Sequence, residues 1–431
     1  MISYHTCPLA TLGGKDTGGM NVYVRDLTRE LGRRGIGVDV YTRSQDEHVP
    51  HVLHDLGHGN RIVHVRAGPE TPLPKDQLLA HLAPFTAGVR EFAQSKAISY
   101  DVIHSHYWLS GLSGLELRRA WGRPLVHMFH TLGEMKNRVA RTPNEREPDR
   151  RLEAERLLLR EADRTIAATQ AEVVQFQWLY KADTRRVEVI PPGVDTGRFY
   201  AIPMDEAKEF VGIGGGDHML LYVGRIEPLK GIDSLFEAVA ILQRKGLLAG
   251  RSVCLAIIGG DPDVPPEQMT AEMSRLQSLS KSLGITSMVT FLGRRDQDTL
   301  PYYYSAAEAV VVPSHYESFG LVALEAMACG TPVVASETGG LVYLVRDGET
   351  GFHVPVGDSR ALADRIGRLI TDSNLRNCMG RHAENYATGY AWPIMAGQIV
   401  EVYETLVAVA AYSGRFDAGG SAADRAPGGT S

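Results

Sequence analysis

Four side chains stand out for the chemistry they could do together: the carboxylates Glu317 and Glu325 and the cations Arg225 and Lys230. Glu325 interrupts an apolar run, Leu321-Val322-Ala323-Leu324-Glu325-Ala326-Met327-Ala328. A carboxylate buried in such a run is costly unless it is paired or hydrogen-bonded. A sugar diol, as in a ribose, would engage both of its oxygens, and a Lys or Arg of the fold would satisfy it without any ligand. Glu317 stands in the polar stretch Ser314–Gly320 just before that run, where a solvated side chain is the plain alternative. Ser318, Phe319, Gly320 and Leu321 mark a helix N-terminus, whose free N–H groups and dipole suit a phosphate. Arg225 and Lys230 share a loop closed by Gly231. One is a planar fork and the other a point charge, a pair suited to a diphosphate, with a solvated loop face as the alternative. Gly18-Gly19 precedes a helix, and glycines there let a backbone approach a phosphate; a plain tight turn is the alternative.

Histidines cluster in two segments, His104-Ser105-His106-Tyr107-Trp108 and His127-Met128-Phe129-His130-Thr131. Imidazole is a common metal ligand. No carboxylate or cysteine lies at ligand spacing, so no metal is expected, and hydrogen-bonded histidines at a sheet edge are the alternative. No G-x-G-x-x-G occurs, which counts against a dinucleotide dehydrogenase.

The elements that must position these groups alternate between strand and helix. Ile2–Thr6, Val38–Thr42, Arg61–Arg66, Asp101–His106, Leu125–His130, Thr165–Thr169 and Val187–Ile190 read as strands. A helix from Gly18-Gly19-Met20-Asn21 to about Arg34, and others near 76–96, 109–120, 149–162 and 170–180, fill the gaps. Pro191-Pro192-Gly193-Val194-Asp195 reads as a hinge. A second alternation follows, with strands at Met219–Val223, Val253–Ile258, Val289–Leu292, Val310–Val312 and Val333–Ala335 and a helix N-capped by Asp233. The class is α/β, with parallel sheets covered by helices on both faces. Residues 413–431, rich in Gly, Ala, Ser and Asp, are expected to be disordered.

Length and charge bound the partners. The 431 residues suffice for two domains, and a net charge of -6 argues against nucleic acid or an anionic membrane as main partner. No apolar run is expected to reach the roughly 20 residues of a membrane span. No signal peptide is evident, and four scattered cysteines without CxxC spacing fit a reducing cytoplasm. The partners expected are therefore small molecules, and a homodimer is compatible with the reading.

Glu317, seven intervening residues and Glu325, followed by Gly330-Thr331-Pro332, resemble the signature of the retaining glycosyltransferases of family four. The resemblance spans residues 1 to about 410. It implies the GT-B fold, two doubly wound Rossmann-like domains facing a central cleft. Residues 1–192 would bind acceptor, completed by a last helix near 393–412, and 193–392 would bind a nucleotide sugar. It implies that Glu325 holds the nucleotide ribose and Glu317 the donor sugar. Arg225 and Lys230 would hold the diphosphate opposite Gly18 and Gly19, and His130 would stand beside the reacting sugar. His130, Arg225, Lys230 and Glu317 are thus the expected catalytic group.

Asp16-Thr17-Gly18-Gly19-Met20-Asn21-Val22-Tyr23-Val24 resembles two subgroups, the sucrose-phosphate synthases and the glycosyltransferases that start mycothiol synthesis. Met20-Asn21 is closer to the latter, and the resemblance places Asn21, His106 and Tyr107 on the acceptor side. Lys75, Tyr107, Thr131 and one of Arg150 or Arg151 match positions that bind an acceptor phosphate. A solvated helix face with Arg151 and Glu155 at i,i+4 is the alternative for the arginines. Glu134-Met135 departs from both subgroups. The activity implied is transfer from UDP-glucose or UDP-N-acetylglucosamine to a phosphorylated acceptor such as inositol phosphate, by same-face attack and with no cofactor. Transfer to fructose 6-phosphate, sugar-nucleotide epimerisation and nucleotide-sugar binding without catalysis are the alternatives.

Overall fold

The computed structural model describes residues 1–11, 17–247, 250–265, 267 and 269–419. Two parallel sheets organise it. In the second half, β-branched and apolar runs form β8 (His218–Val223), β9 (Val253–Ile258), β10 (Val289–Gly293), β11 (Ala309–Val312), β12 (Val333–Ser336) and β13 (Gly351–Val354). Their order is β10-β9-β8-β11-β12-β13, and neighbours run parallel. β11 and β12 are buried throughout, as strands covered on both faces must be. The strand order reverses between β8 and β11, which opens a crevice beyond their carboxyl ends. Arg225 and Lys230 follow β8 and Glu317 follows β11, so topology alone gathers them.

The first half repeats the plan. Its strands are β1 (Asp39–Arg43), β2 (Val52–Leu53), β3 (Arg61–Val65), β4 (Ile103–His106), β5 (Leu125–Met128), β6 (Arg164–Ala167) and β7 (Val187–Val189). Ile2 bridges Tyr41 of β1 and Ser105 of β4, joining β2-β3-β1 to β4-β5-β6-β7. The pairs are parallel except β2 with β3. Here the order reverses between Ile2 and β4. His5 and Tyr107 therefore come to this second crevice.

Several elements differ from the sequence reading for local reasons. The expected strand Ile2–Thr6 shrinks to the bridge at Ile2, because the Ser3 hydroxyl donates to the Thr6 carbonyl at 2.7 Å and closes a turn. The strand expected to reach His130 stops at Met128, and His130 itself has φ 62. The helix near 76–96 divides into Lys75–Leu78, a 3-10 turn and Leu82–Ser95. Pro84 lacks an N–H and is tolerated only in a first turn, so the second helix restarts just before it. Asp233 is not an N-cap: the helix is Ile232–Arg244, Gly231 caps it at φ 63, and the Asp233 carboxylate meets Arg141 at 3.3 Å and Arg275 at 3.2 Å.

The two halves are crossed by chain twice, side by side. Val194 N–H donates to Tyr390 O at 2.8 Å and Trp392 N–H to Val194 O at 3.1 Å. A Cβ on Gly193 would lie 2.6 Å from the Trp392 ring, so this crossing needs glycine. From Trp392 a helix runs to Gly419 along the first helix, Gly19–Arg33, and the Tyr403 hydroxyl meets His104 Nδ1 at 2.6 Å. Two expectations change here. The tail expected from residue 413 is helical to Gly419, and 420–431 lie outside the described residues, as does Asp16. Trp392–Tyr412, at 21 residues, is also long and apolar enough by length and composition to cross a membrane, although no such run was expected. Its polar residues Gln398, Glu401 and Glu404 are spread along it, and its Tyr403 is tied into the first half of the chain.

Candidate active site

The two crevices face each other and form one cleft lined from both halves. On the second half, Gly231 lets the β8 loop lie against β11. A Cβ there would sit 2.1 Å from the Pro313 carbonyl. That approach brings Lys230 Nζ to 2.5 Å from Glu317 Oε2, both side chains being mostly buried at 17% and 19% exposure. Glu317 is therefore ion-paired rather than solvated. Gly339 and Gly340 fix its backbone: Gly340 N–H donates to Glu317 O at 3.0 Å, and a Cβ on Gly339 would lie 1.8 Å from that oxygen. Arg225 pairs with Glu227 at 2.8 Å, and its carbonyl accepts from the Tyr222 hydroxyl at 2.9 Å.

Glu325 lies on the helix Leu321–Ala328, which starts at Gly320 with φ 104, and Ser318 to Leu321 line the cleft. Its carboxylate accepts from the Tyr304 hydroxyl at 2.7 Å. Among the described residues no Lys or Arg comes within ion-pair distance of it, so the cation-paired alternative does not describe this side chain. Burial raises its pKa to about 7, with the Tyr304 hydrogen bond opposing. A carboxylate so placed, lining a cleft, is ready for a pair of hydroxyl donors.

Across the cleft, the Gly18–Gly19 turn sits directly against this wall. A Cβ on Gly18 would be 4.0 Å from Arg225 Nε, and one on Gly19 would be 3.0 Å from Leu321 Cδ1. Asn21 holds the turn. Its Oδ1 accepts from Gly18 N–H at 3.0 Å, and its Nδ2 donates to Thr6 Oγ1 and to Cys7 O, each at 2.7 Å. The Asn21 amide is thus engaged locally and holds the turn, and the residue also lines the cleft, where it was expected on the acceptor side. His130 lines the cleft, with Tyr23 packed edge-on at 5.1 Å. Burial lowers its pKa to about 3, so it is neutral near pH 7. His106, expected on the acceptor side, is fully buried behind it, with Nδ1 at 3.1 Å from His130 Nε2.

The acceptor-side candidates separate cleanly. Arg151 is completely buried, so it is not part of a solvated helix face. It pairs with Glu155 at 2.8 Å and Glu147 at 2.9 Å. It also donates to the Tyr107 hydroxyl at 3.1 Å and to Thr131 at its carbonyl (2.8 Å) and hydroxyl (3.1 Å). Burial opposes its charge, but Tyr107, Glu155 and Glu147 hold it protonated. Lys75, Tyr107 and Thr131 line the cleft with Arg151 behind them. Arg150 points outward, exposed, and donates to Asp76 O at 3.3 Å. Of the two arginines, Arg151 alone joins this cluster.

Several cleft residues escaped the sequence reading, Lys136, His5, Arg294 and Arg295 among them. Lys136 lines the same wall and pairs with Glu147 at 2.8 Å; burial, then the nearby Arg151 charge, lower its pKa. Its signal was present, since it lies three residues after Gly133 on one face of the short helix Gly133–Val139. A Cβ on Gly133 would meet Leu152 at 2.7 Å, so glycine lets that helix close on its neighbour. His5 lines the cleft because the first strand is so short. The divergent Glu134 turns away and pairs with Arg156 at 2.8 Å. Among the described residues no group of three or more His, Cys, Asp or Glu side chains is arranged to hold a metal.

Comparison with known proteins places this architecture. Residues 17–198 match the Glycosyltransferase Family 4 domain and residues 203–386 the Glycosyl transferases group 1 domain. The D-inositol 3-phosphate glycosyltransferase of Actinosynnema mirum is 42% identical over 405 residues, covering 94% of this chain and 96% of that protein. The chain belongs to glycosyltransferase family four. A second relative of the same name, from Acidothermus cellulolyticus, is 42% identical and covers 95% of this chain and 90% of its own length. The solved sucrose-phosphate synthase of Thermosynechococcus elongatus superposes with a TM-score of 0.86 at 34% identity, covering 95% of this chain and 98% of that one. The protein is a glycosyltransferase of GT-B fold, and its cleft lies between the two Rossmann-like sheets that define that fold.

Proposed function

We propose that this glycosyltransferase moves a hexosyl group from a nucleoside diphosphate sugar, UDP-glucose or UDP-N-acetylglucosamine, to a phosphorylated small acceptor, with inositol phosphate as first choice. The observation that carries this is the pairing of two walls. Arg225, Lys230, Glu317 and Glu325 line one, and Lys75, Lys136, Tyr107 and Thr131, backed by Arg151, line the other. Lysines and hydroxyls braced by a buried arginine make a chemically sensible phosphate cage. The names of the 42%-identical relatives point the same way. The 34%-identical sucrose-phosphate synthase supports fructose 6-phosphate as the second choice, which the same cage would accept.

In this reading Glu325 takes the ribose hydroxyls and Glu317 the sugar. The diphosphate lies between Arg225 and Lys230 on one side and the Gly18–Gly19 turn on the other. Those charges stabilise the leaving group as the glycosidic bond breaks. Among the described cleft residues the carboxylates are Glu317 and Glu325. The first is held by Lys230 and the second is buried beside Tyr304, so neither is placed as a nucleophile. The acceptor hydroxyl then attacks from the face of the leaving diphosphate, whose oxygen takes the proton, and configuration is retained. Closure about Pro191–Val194 would exclude water, the competing acceptor. No metal enters the proposal.

The test is nucleotide release over a grid of UDP-glucose, UDP-N-acetylglucosamine and GDP-mannose against inositol phosphate, fructose 6-phosphate, their unphosphorylated forms and no acceptor. Release dependent on one phosphorylated acceptor supports the reading. Release with only unphosphorylated acceptors discards the cage. No acceptor-dependent release overturns the transfer and favours epimerisation or binding.

A further inference from the structure

His106 has no part in lining the cleft, yet it touches His130, which does. Its ring is fully buried, packed at 4.3 Å against His104 and at 5.6 Å against Tyr23. His104 is in turn held through Nδ1 by the Tyr403 hydroxyl of the last helix, at 2.6 Å. The ring of His106 is therefore fixed in orientation from two sides. Its Nδ1 meets His130 Nε2 at 3.1 Å, and its Nε2 is buried without any hydrogen-bond partner.

A neutral imidazole carries one N–H, so the contact between these rings holds one proton. Two arrangements satisfy it. If His130 donates from Nε2, the proton of His106 must sit on its own Nε2, leaving a buried N–H with no acceptor. If His106 donates from Nδ1, its Nε2 keeps only a bare lone pair. A buried orphan donor is the rarer and costlier defect of the two. The second arrangement places the single proton of His130 on Nδ1, the ring nitrogen not engaged by His106.

We infer that His106 is a positioning residue that locks His130 as its Nδ1–H tautomer, so that His130 presents a hydrogen-bond donor, and not an acceptor or base, to a substrate oxygen in the cleft. This rests on the proposed placement of His130 beside the reacting sugar only for its effect on turnover; the tautomer is a property of the protein alone. The lock also gives the last helix a role in the site, since Tyr403 and His104 keep the His106 ring from turning.

The experiment is long-range proton–nitrogen correlation NMR on the full-length protein labelled with nitrogen-15 at histidine, with His130 assigned from His130→Asn. Protonation at Nδ1 and a bare Nε2 in His130 is the expected pattern. Protonation at Nε2 overturns the inference outright. Kinetics supply the second arm. His106→Leu should lower kcat about tenfold with acceptor KM unchanged, as expected for one lost hydrogen bond at the reacting centre. His106→Asn, which can still donate from the Nδ1 position, should restore kcat to within about threefold of the original. A His106→Leu protein that is folded and fully active overturns the positioning role. Full activity in His130→Asn, with the Nδ1–H pattern seen in the parent protein, would instead refute the placement of His130 at the sugar and leave the tautomer assignment standing.

Discussion

Replacing Glu325 by Gln should weaken nucleotide binding and stabilise the empty protein, two changes in opposite directions from one atom. The carboxyl is held at about 7 rather than 4.5, chiefly by burial. Between those values the folded protein binds a proton that the unfolded chain has lost. Stability therefore falls as pH rises through this window, and the penalty is complete above about pH 7. It amounts to roughly 3 kcal/mol. Glutamine keeps the shape and can still accept from Tyr304, but it has no charge to desolvate. Glu325→Gln should therefore unfold at a higher temperature than the parent at pH 8, and the gain should vanish below about pH 4.5. An ionised acceptor for a ribose diol contributes roughly 1.5–3 kcal/mol, so affinity for a nucleoside diphosphate should drop roughly 10- to 150-fold. Thermal unfolding at several pH values and calorimetric titration with UDP measure both. A variant that is less stable at pH 8, or that binds UDP as tightly as the parent, would refute the reasoning.

Other substitutions separate the roles of the cleft. Arg225→Ala removes a charge facing the Gly18–Gly19 turn and should lower kcat by about 10²- to 10³-fold in the nucleotide-release assay. Lys136→Met should raise the acceptor KM about tenfold or more with a smaller change in kcat, because it removes phosphate binding common to ground and transition states. Arg151→Met strips the partner from buried Glu155 and should cost about 3–5 kcal/mol, read as a lower unfolding midpoint. Arg150→Met, outside the cluster, should leave both acceptor KM and stability near the parent values.

Topology was legible in the sequence because it is written in runs. The buried strands around Val253–Ile258 and Val310–Val312 are apolar on both faces, and parallel α/β sheets then bring the ends of β8 and β11 together whatever the loop details. The spacing of Glu317 and Glu325 could be read for the same reason, since a strand end and the following helix fix their separation. What could not be read depends on contacts far apart in the chain. Arg151 with Glu155 looks in sequence like any solvated helix pair, and only the packing of Tyr107 and Thr131 against it makes it a buried brace. Asn21 does line the cleft, but only the fold shows that Thr6 and Cys7 take its amide. His106 and His130, 24 residues apart, meet only because β4 and β5 are neighbours in register.

The most direct test of the account is the comparison of inositol phosphate with inositol as acceptors for the purified protein, with UDP release followed for each nucleotide sugar. The account predicts release that depends on the phosphorylated acceptor and that falls when Lys75 or Lys136 is replaced by Met. Equal release with inositol and inositol phosphate, unaffected by either replacement, would contradict it.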